Sequence, residues 1–186
     1  AIATYSNMDG LWSTPQYGFN RGISEFGKAG YDATVSELSD NLIGMNAVKM
    51  LNKKQITSDV CINALSYLMF LKRKRTSDIK ARGCADGRPQ REFISKEESS
   101  SPTVLTYALF ISCAMDAMEG RQVVTCDIPG AFLQADWPED NDCYLKFEGL
   151  MVKMICEIDP NYLNYVLTNK RTGKQKLYGK LTKAVY

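Results

Sequence analysis

The sequence predicts a mixed α+β fold, and three observations carry that expectation. Apolar residues recur at helical spacing from Tyr31 through Val35, Leu38 and Leu42. Two pairs of strand-like runs, 65–71 with 79–84 and 165–168 with 176–181, are each joined by a short polar turn. Between the two hairpins, helical and β-branched segments alternate without the regular repeat of a parallel α/β sheet. At 186 residues, with 45% hydrophobic and 24% charged residues, the composition is that of a globular chain rather than a disordered one.

Residues 1–22 mix Gly, Asn and Ser with isolated aromatics (Tyr5, Trp12, Tyr17, Phe19) and show no period, which reads as an irregular arm. The stripe from Tyr31 then predicts a helix that Gly44 ends. Leu65-Ser-Tyr-Leu-Met-Phe-Leu71 reads as a buried strand, Arg73–Asp78 as a tip and Ile79–Cys84 as the returning strand. Glycines and polar residues dominate up to Ser101. Ser101 as N-cap and Pro102 as first residue predict a helix through Val104, Leu105, Ala108, Leu109, Cys113, Ala114 and Met118, stopped by Gly120.

Gln122–Asp127 is β-branched enough for a strand, which Pro129-Gly130 breaks just after the carboxylate. A strand at Cys143–Phe147, a helical stretch at Leu150–Glu157 and a hairpin turning at Lys170–Lys174 around Gly173 complete the chain. There is no internal repeat. The expected organisation is an arm or linker at 1–30, a region of helix and basic hairpin at 31–120, and a last region at 121–186.

Composition excludes several chemistries. The chain has no histidine, which removes imidazole bases, histidine zinc sites and Ser-His-Asp or Cys-His triads. Its six cysteines, at 61, 84, 113, 126, 143 and 156, form no C-x-x-C pair and are expected to be reduced and structural, with Cys113 and Cys126 in apolar runs as small core residues. The apolar stretch Leu68–Leu71 ends in Lys72–Arg75, far short of the roughly 20 residues of a membrane span. No basic residue precedes Arg21 and no apolar core follows, so no signal peptide is expected.

Charge is unevenly placed. Between Lys72 and Arg91 eight cations (Lys72, Arg73, Lys74, Arg75, Lys80, Arg82, Arg88 and Arg91) face only Asp78 and Asp86, a balance of +6 in a chain of net charge +2. Such a segment suits a polyanion, or is a solvated hairpin tip. The sharpest chemical signal is Val123-Val-Thr-Cys-Asp127-Ile-Pro-Gly-Ala-Phe132, in which an apolar run delivers one carboxylate just before a break. Asp127 there suits Mg²⁺, which takes one or two carboxylates with substrate phosphates, or else caps the Gly130–Ala135 turn.

Four ordered segments resemble the reverse transcriptase of copia-type retrotransposons, an RNA-directed DNA polymerase, over about Met45 to Tyr186. Leu71-Lys-Arg-Lys-Arg75 with Ile79-Lys-Ala-Arg82 resembles the fingers hairpin, whose usual form is Lys-Ala-Arg followed by an apolar pair and a glycine. Ser101-Pro-Thr-Val104 resembles the Ser-Pro-Val-Val start of the next helix. Cys126-Asp-Ile-Pro-Gly-Ala-Phe-Leu133 resembles the motif of the first catalytic aspartate. Leu177-Tyr178, Leu181 and Lys183-Ala-Val-Tyr186 resemble the opening of Lys-Ala-Leu-Tyr-Gly-Leu-Lys-Gln.

The resemblance implies a partial right-hand polymerase, with fingers and the start of a palm. It implies that Asp127 binds Mg²⁺ (or Mn²⁺) together with the Ile128 carbonyl, for two-metal transfer of deoxynucleotides to a primer 3′-hydroxyl. Phe132 would lie beneath the incoming sugar and exclude a 2′-hydroxyl, with Gly130 and Ala131 presenting backbone to the triphosphate. Lys80 and Arg82 would hold that triphosphate, while Lys72, Arg73, Lys74, Arg75 and Arg88 would meet nucleic-acid phosphates. Implied partners are an RNA or DNA template-primer, dNTPs and the rest of the polymerase, with no membrane, in a cytoplasmic retroelement particle or the nucleus. The sequence departs from the family at Gly83-Cys84, where the apolar pair is expected, and it ends before a Tyr-x-Asp-Asp hairpin. The isolated chain is therefore expected not to polymerise. An inactive remnant that binds nucleic acid through the hairpin, or a repurposed interaction domain, are the alternatives.

Overall fold

A computed structural model describes residues 15–92, 103–138 and 140–185. Its chain divides into two units, Ala1–Asp86 with Gly130–Tyr186, and Gly87–Pro129. These boundaries differ from the expected divisions at 30 and 120.

The larger unit is mixed α+β, built on a seven-stranded sheet of order β1-β3-β5-β7-β2, with β4 also on β3 and β6 also on β7. The strands are β1 (Gln16–Gly18), β2 (Val48–Met50), β3 (Leu65–Arg73), β4 (Ile79–Ala85), β5 (Tyr144–Glu148), β6 (Leu167–Thr168) and β7 (Gln175–Leu181). β3 holds the sheet together. One edge pairs antiparallel with β4 from Tyr67 to Arg73, and the other carries β1 at Phe70–Lys72 and, running parallel, β5 at Leu65–Ser66. A cleft of about 400 Å³, lined by Phe19, Leu68, Glu148 and Met151 among others, opens where β1 and β5 part.

The expected hairpins form. The period-2 alternation of β3 buries Leu65, Tyr67, Met69 and Leu71, leaving Ser66, Leu68, Phe70 and Lys72 on the outer face. The last hairpin closes through Asn169, whose side-chain oxygen accepts from the Arg171 and Thr172 amides, and through Gly173 at φ 67°. Tyr165 belongs not to that hairpin but to a 3₁₀ turn, Pro160–Tyr165, which Asp159 caps.

Helix α1 (Phe19–Glu37) overturns the irregular reading of the segment before residue 31. Three glycines, Gly22, Gly27 and Gly30, dilute its apolar stripe, and for two of them the reason is tertiary. A Cβ on Gly22 would stand 2.8 Å from Leu71 Cβ, and one on Gly30 would stand 3.1 Å from Leu71 Cδ2, so the helix backs onto β3 through glycine. Gly27, at φ 52° and ψ −129°, kinks the helix. Of the expected stripe, Leu38 and Leu42 are buried and Tyr31 and Val35 half-buried, with Thr34 buried beside them, and the helix continues through a π-helical turn (Leu38–Ile43) that closes at Gly44.

Helix α4 (Leu150–Ile158) buries Met151, Val152, Met154, Ile155 and Cys156 and packs on α1, β5 and β7. The Tyr31 hydroxyl donates to Glu157 and ties α1 to α4. With the sheet residues Leu145, Phe147, Leu177 and Leu181 these helices enclose the main core. On the other face α2 (Ser58–Asn63), capped by Thr57, packs Val60 against Leu51 and Tyr178. That face is otherwise laced by ion pairs, Lys176–Glu148 at 2.8 Å and Lys180–Asp142.

The smaller unit contains a 3₁₀ turn (Arg88–Glu92) and helix α3 (Thr106–Met118). The expected N-cap at Ser101 and Pro102 falls outside the described residues. α3 starts at Thr106 because Leu105 is still extended, at ψ 137°. Gly120, at φ 63°, ends it as expected. α3 buries none of its residues, with Phe110 68% and Met118 87% exposed. The strand expected at Gln122–Asp127 is absent. Those residues have no regular structure, and Val124 is 86% exposed. β-branched residues favour a strand only against a neighbour, and no described strand pairs with them.

All six cysteines are free. Cys143 and Cys156 are buried, whereas Cys113 and Cys126, expected in the core, are exposed because their segments are uncovered. No described helix is long and apolar enough to cross a membrane.

Candidate nucleic-acid interface

Six of the cations predicted from sequence, Lys72, Arg73, Lys74, Arg75, Lys80 and Arg82, meet at the β3–β4 hairpin. The ladder sets Phe70 opposite Arg82 and Lys72 opposite Lys80, so the four side chains share the outer face. Leu71 and Ala81, paired between them, face the core. The tip closes as the Lys74 amide donates to the Asp78 carbonyl at 2.7 Å and the Ser77 amide donates to the Lys74 carbonyl at 3.0 Å. Thr76 Oγ1 donates to the Asp78 carboxylate, which leaves that carboxylate engaged at the tip itself.

A cleft of about 480 Å³ is lined by Lys72, Arg73, Lys74, Arg75, Lys80 and Arg82 together with Phe70 and Gln16. Among the described residues no carboxylate forms an ion pair with any of these six cations, in contrast to the paired charges across β5 and β7. Like charges set directly across a ladder repel, so the fold holds an arrangement that an external anion would relieve. Aromatic rings stand by the cations on the α1 side of the sheet, outside the cleft lining. Arg73 stands over the Phe26 ring at 5.4 Å, Phe26 meets Tyr17 edge-on at 5.5 Å, and Arg21 stands over Tyr17 at 5.1 Å.

Gln16 and Phe70 are absent from the residues singled out by sequence. Phe70 was legible, because Ser66 and Lys72 mark the outer face on which it falls at period two. Gln16 was not, because β1 is three residues long and exists through its pairing with Leu71 and its neighbours.

The departure at Gly83 has a local explanation. A Cβ there would fall 1.7 Å from the Tyr67 hydroxyl oxygen, so Tyr67 fills the space that an apolar side chain after Arg82 would take. Burial, reinforced by the nearby Glu37 carboxylate, pushes the Tyr67 phenol well above its ordinary range. Cys84 is likewise pushed up, by burial and then by Asp86.

The other expected site residues are distributed between the units. Asp127 and Ile128 lie in the smaller unit, in the exposed segment without regular structure, and Arg88 lies in its 3₁₀ turn. Gly130, Ala131 and Phe132 belong to the larger unit. Gly130 takes the left-handed conformation at φ 58° and ψ 38° and opens a 3₁₀ turn, Ala131–Gln134, on which Phe132 is 48% exposed. That turn is tied to the end of the chain. The Ala184 amide donates to the Ala135 carbonyl at 3.0 Å, the Trp137 amide donates to the Thr182 carbonyl at 3.0 Å, and Asp136 bridges to Lys183. Within the larger unit, the turn that carries the Gly130–Leu133 part of the third motif therefore runs into a segment paired with the fourth.

Asp127 and the Ile128 carbonyl offer part of one Mg²⁺ shell, and among the described residues no three His, Cys, Asp or Glu side chains gather as a metal site. The donor set does not fit two metal ions. Compared with family models, curated proteins and solved structures, the chain finds no match.

Proposed function

We propose that this chain is part of a nucleic-acid polymerase, the fingers and first palm segment of a copia-type reverse transcriptase, and that its own share of the work is to hold the phosphate backbone. The supporting observation is the hairpin cleft, where six cations that pair with no carboxylate among the described residues line one space together with the half-buried Phe70 ring. Lys72, Lys80 and Arg82 project from a rigid ladder and so meet phosphates with little loss of side-chain order, Arg82 in bidentate fashion. Phe70 offers a ring face to a base or sugar. On this reading Asp127 is a metal ligand completed by carboxylates beyond those described, Mg²⁺ supplying the Lewis acid when bound. Phe132, on its Gly130-anchored turn, selects the sugar.

The test is primer extension by a polymerase containing this chain. Asp127→Asn is expected to abolish extension while leaving template binding intact, and unimpaired extension would refute the assignment. A second reading, nucleic-acid binding without catalysis, draws support from the exposed, strandless segment that carries Asp127. It predicts binding by the hairpin and no extension from any parent.

A further inference from the structure

β4 pairs with β3 and with no other described strand, so its second edge lacks a ladder. One outward amide on that edge is nonetheless taken. Glu37, at the end of α1, accepts the Gly83 amide proton on Oε1 at 3.0 Å. Its Oε2 accepts from Asn41 Nδ2 at 2.7 Å, which fixes the plane of the carboxylate. Gly83 directly follows Arg82 in the strand that also carries Lys80.

We propose that Glu37 is a positioning residue for the cationic cleft. By anchoring the free edge of β4 to α1, it holds Lys80 and Arg82 at the twist that lets them engage one phosphate backbone together with Lys72. β4 also packs on α1 through its inner face, but that apolar contact does not fix the backbone of the outer edge, and an edge strand without such a tie has more freedom to twist. This role rests on the nucleic-acid reading above.

The sign of the effect separates positioning from charge. Glu37 is an anion in the unit that carries the cationic cleft, so by Coulomb's law alone its removal strengthens polyanion binding, whether the replacement is Ala or Gln. Positioning predicts opposite outcomes. Glu37→Ala leaves the Gly83 amide without its acceptor, and binding weakens severalfold. Glu37→Gln keeps an oxygen for that amide, and Asn41 can turn its own amide to match, so binding is equal to or tighter than in the unaltered chain.

The measurement is fluorescence anisotropy of a labelled single-stranded oligonucleotide between ~50 and ~200 mM salt, at a temperature where every variant is folded. Expected is a shallower salt slope for Glu37→Ala, lower by about one phosphate contact, restored by Glu37→Gln. Tyr31→Phe, which frees α1 from α4 rather than from β4, is expected to lower thermal stability without moving the slope. Equal or tighter binding by Glu37→Ala overturns the role of Glu37 and leaves the function standing. Failure of the unaltered chain to bind overturns the nucleic-acid reading, and the positioning role with it.

Discussion

Neutralising Lys72 and Lys80 together should make the protein more stable and a poorer binder of nucleic acid. The two lysines stand opposite each other in the ladder, and neither forms an ion pair with a carboxylate among the described residues. Replacing both by Gln removes that repulsion and is worth about 0.5 kcal/mol of folding stability. On the nucleic-acid reading the same change removes two of six phosphate contacts. For a single strand each contributes about 0.7 to the slope of log K against log salt, so the slope falls from about 4 to about 3. Between ~50 and ~200 mM salt the unaltered chain should then lose affinity about 300-fold, and the double variant about 50-fold. Urea denaturation gives the stability, and anisotropy titrations at four or more salt concentrations give the slope. Opposite signs in the two assays exclude unfolding as the cause. An unchanged slope would refute the assignment of the cleft, and a loss of stability would refute the repulsion argument.

Gly83→Ala sets a methyl group against the Tyr67 hydroxyl and should cost about 2 kcal/mol. In a Tyr67→Leu background the added cost should shrink by about 1 kcal/mol or more in a double-mutant cycle, whereas additivity would show that Tyr67 does not fill that space. Gly27→Ala forces a side chain into φ 52°, ψ −129° and should destabilise by about 1–3 kcal/mol despite the better helix propensity of Ala, read from the urea midpoint. At alkaline pH, Tyr31 is pushed up to about 12 by its bond to Glu157, and Tyr178 to about 12 by burial. Both are raised above the ordinary value of 10, so their contribution is complete below pH ~10 and is lost as pH climbs towards ~12. Thermal melts should fall across that window, and Tyr31→Phe should flatten the fall.

Local pattern made much of this fold readable. Alternation in 65–71, the charged tip and the turn at Gly173 are short-range signals, and the hairpins they predict form. The end of the first helix at Gly44 and the buried run at 150–158 were legible for the same reason. What failed depended on distant neighbours. The start of α1 was hidden because Gly22 and Gly30, poor helix formers, are present to admit Leu71. Gln122–Asp127 has strand propensity without a partner, and Cys113 and Cys126 lie in apolar segments that nothing covers among the described residues. Of the site, sequence identified the cations; Phe70 was legible in the alternation of 65–71 but not singled out, whereas Gln16 and Glu37 acquire their places through the sheet and the α1 contact.

The central position of β3 also fixes an order of events during synthesis. The β3–β4 hairpin can close as soon as it is made, yet one edge of β3 waits for β5, and β2 waits for β7, the last of the described strands. The cationic hairpin is therefore formed, and open to any nearby polyanion, well before the core beneath it is sealed. On the nucleic-acid reading, a nascent chain would present this hairpin to RNA ahead of its own stability, and a polyanion held there would be a scaffold on which the remaining strands assemble.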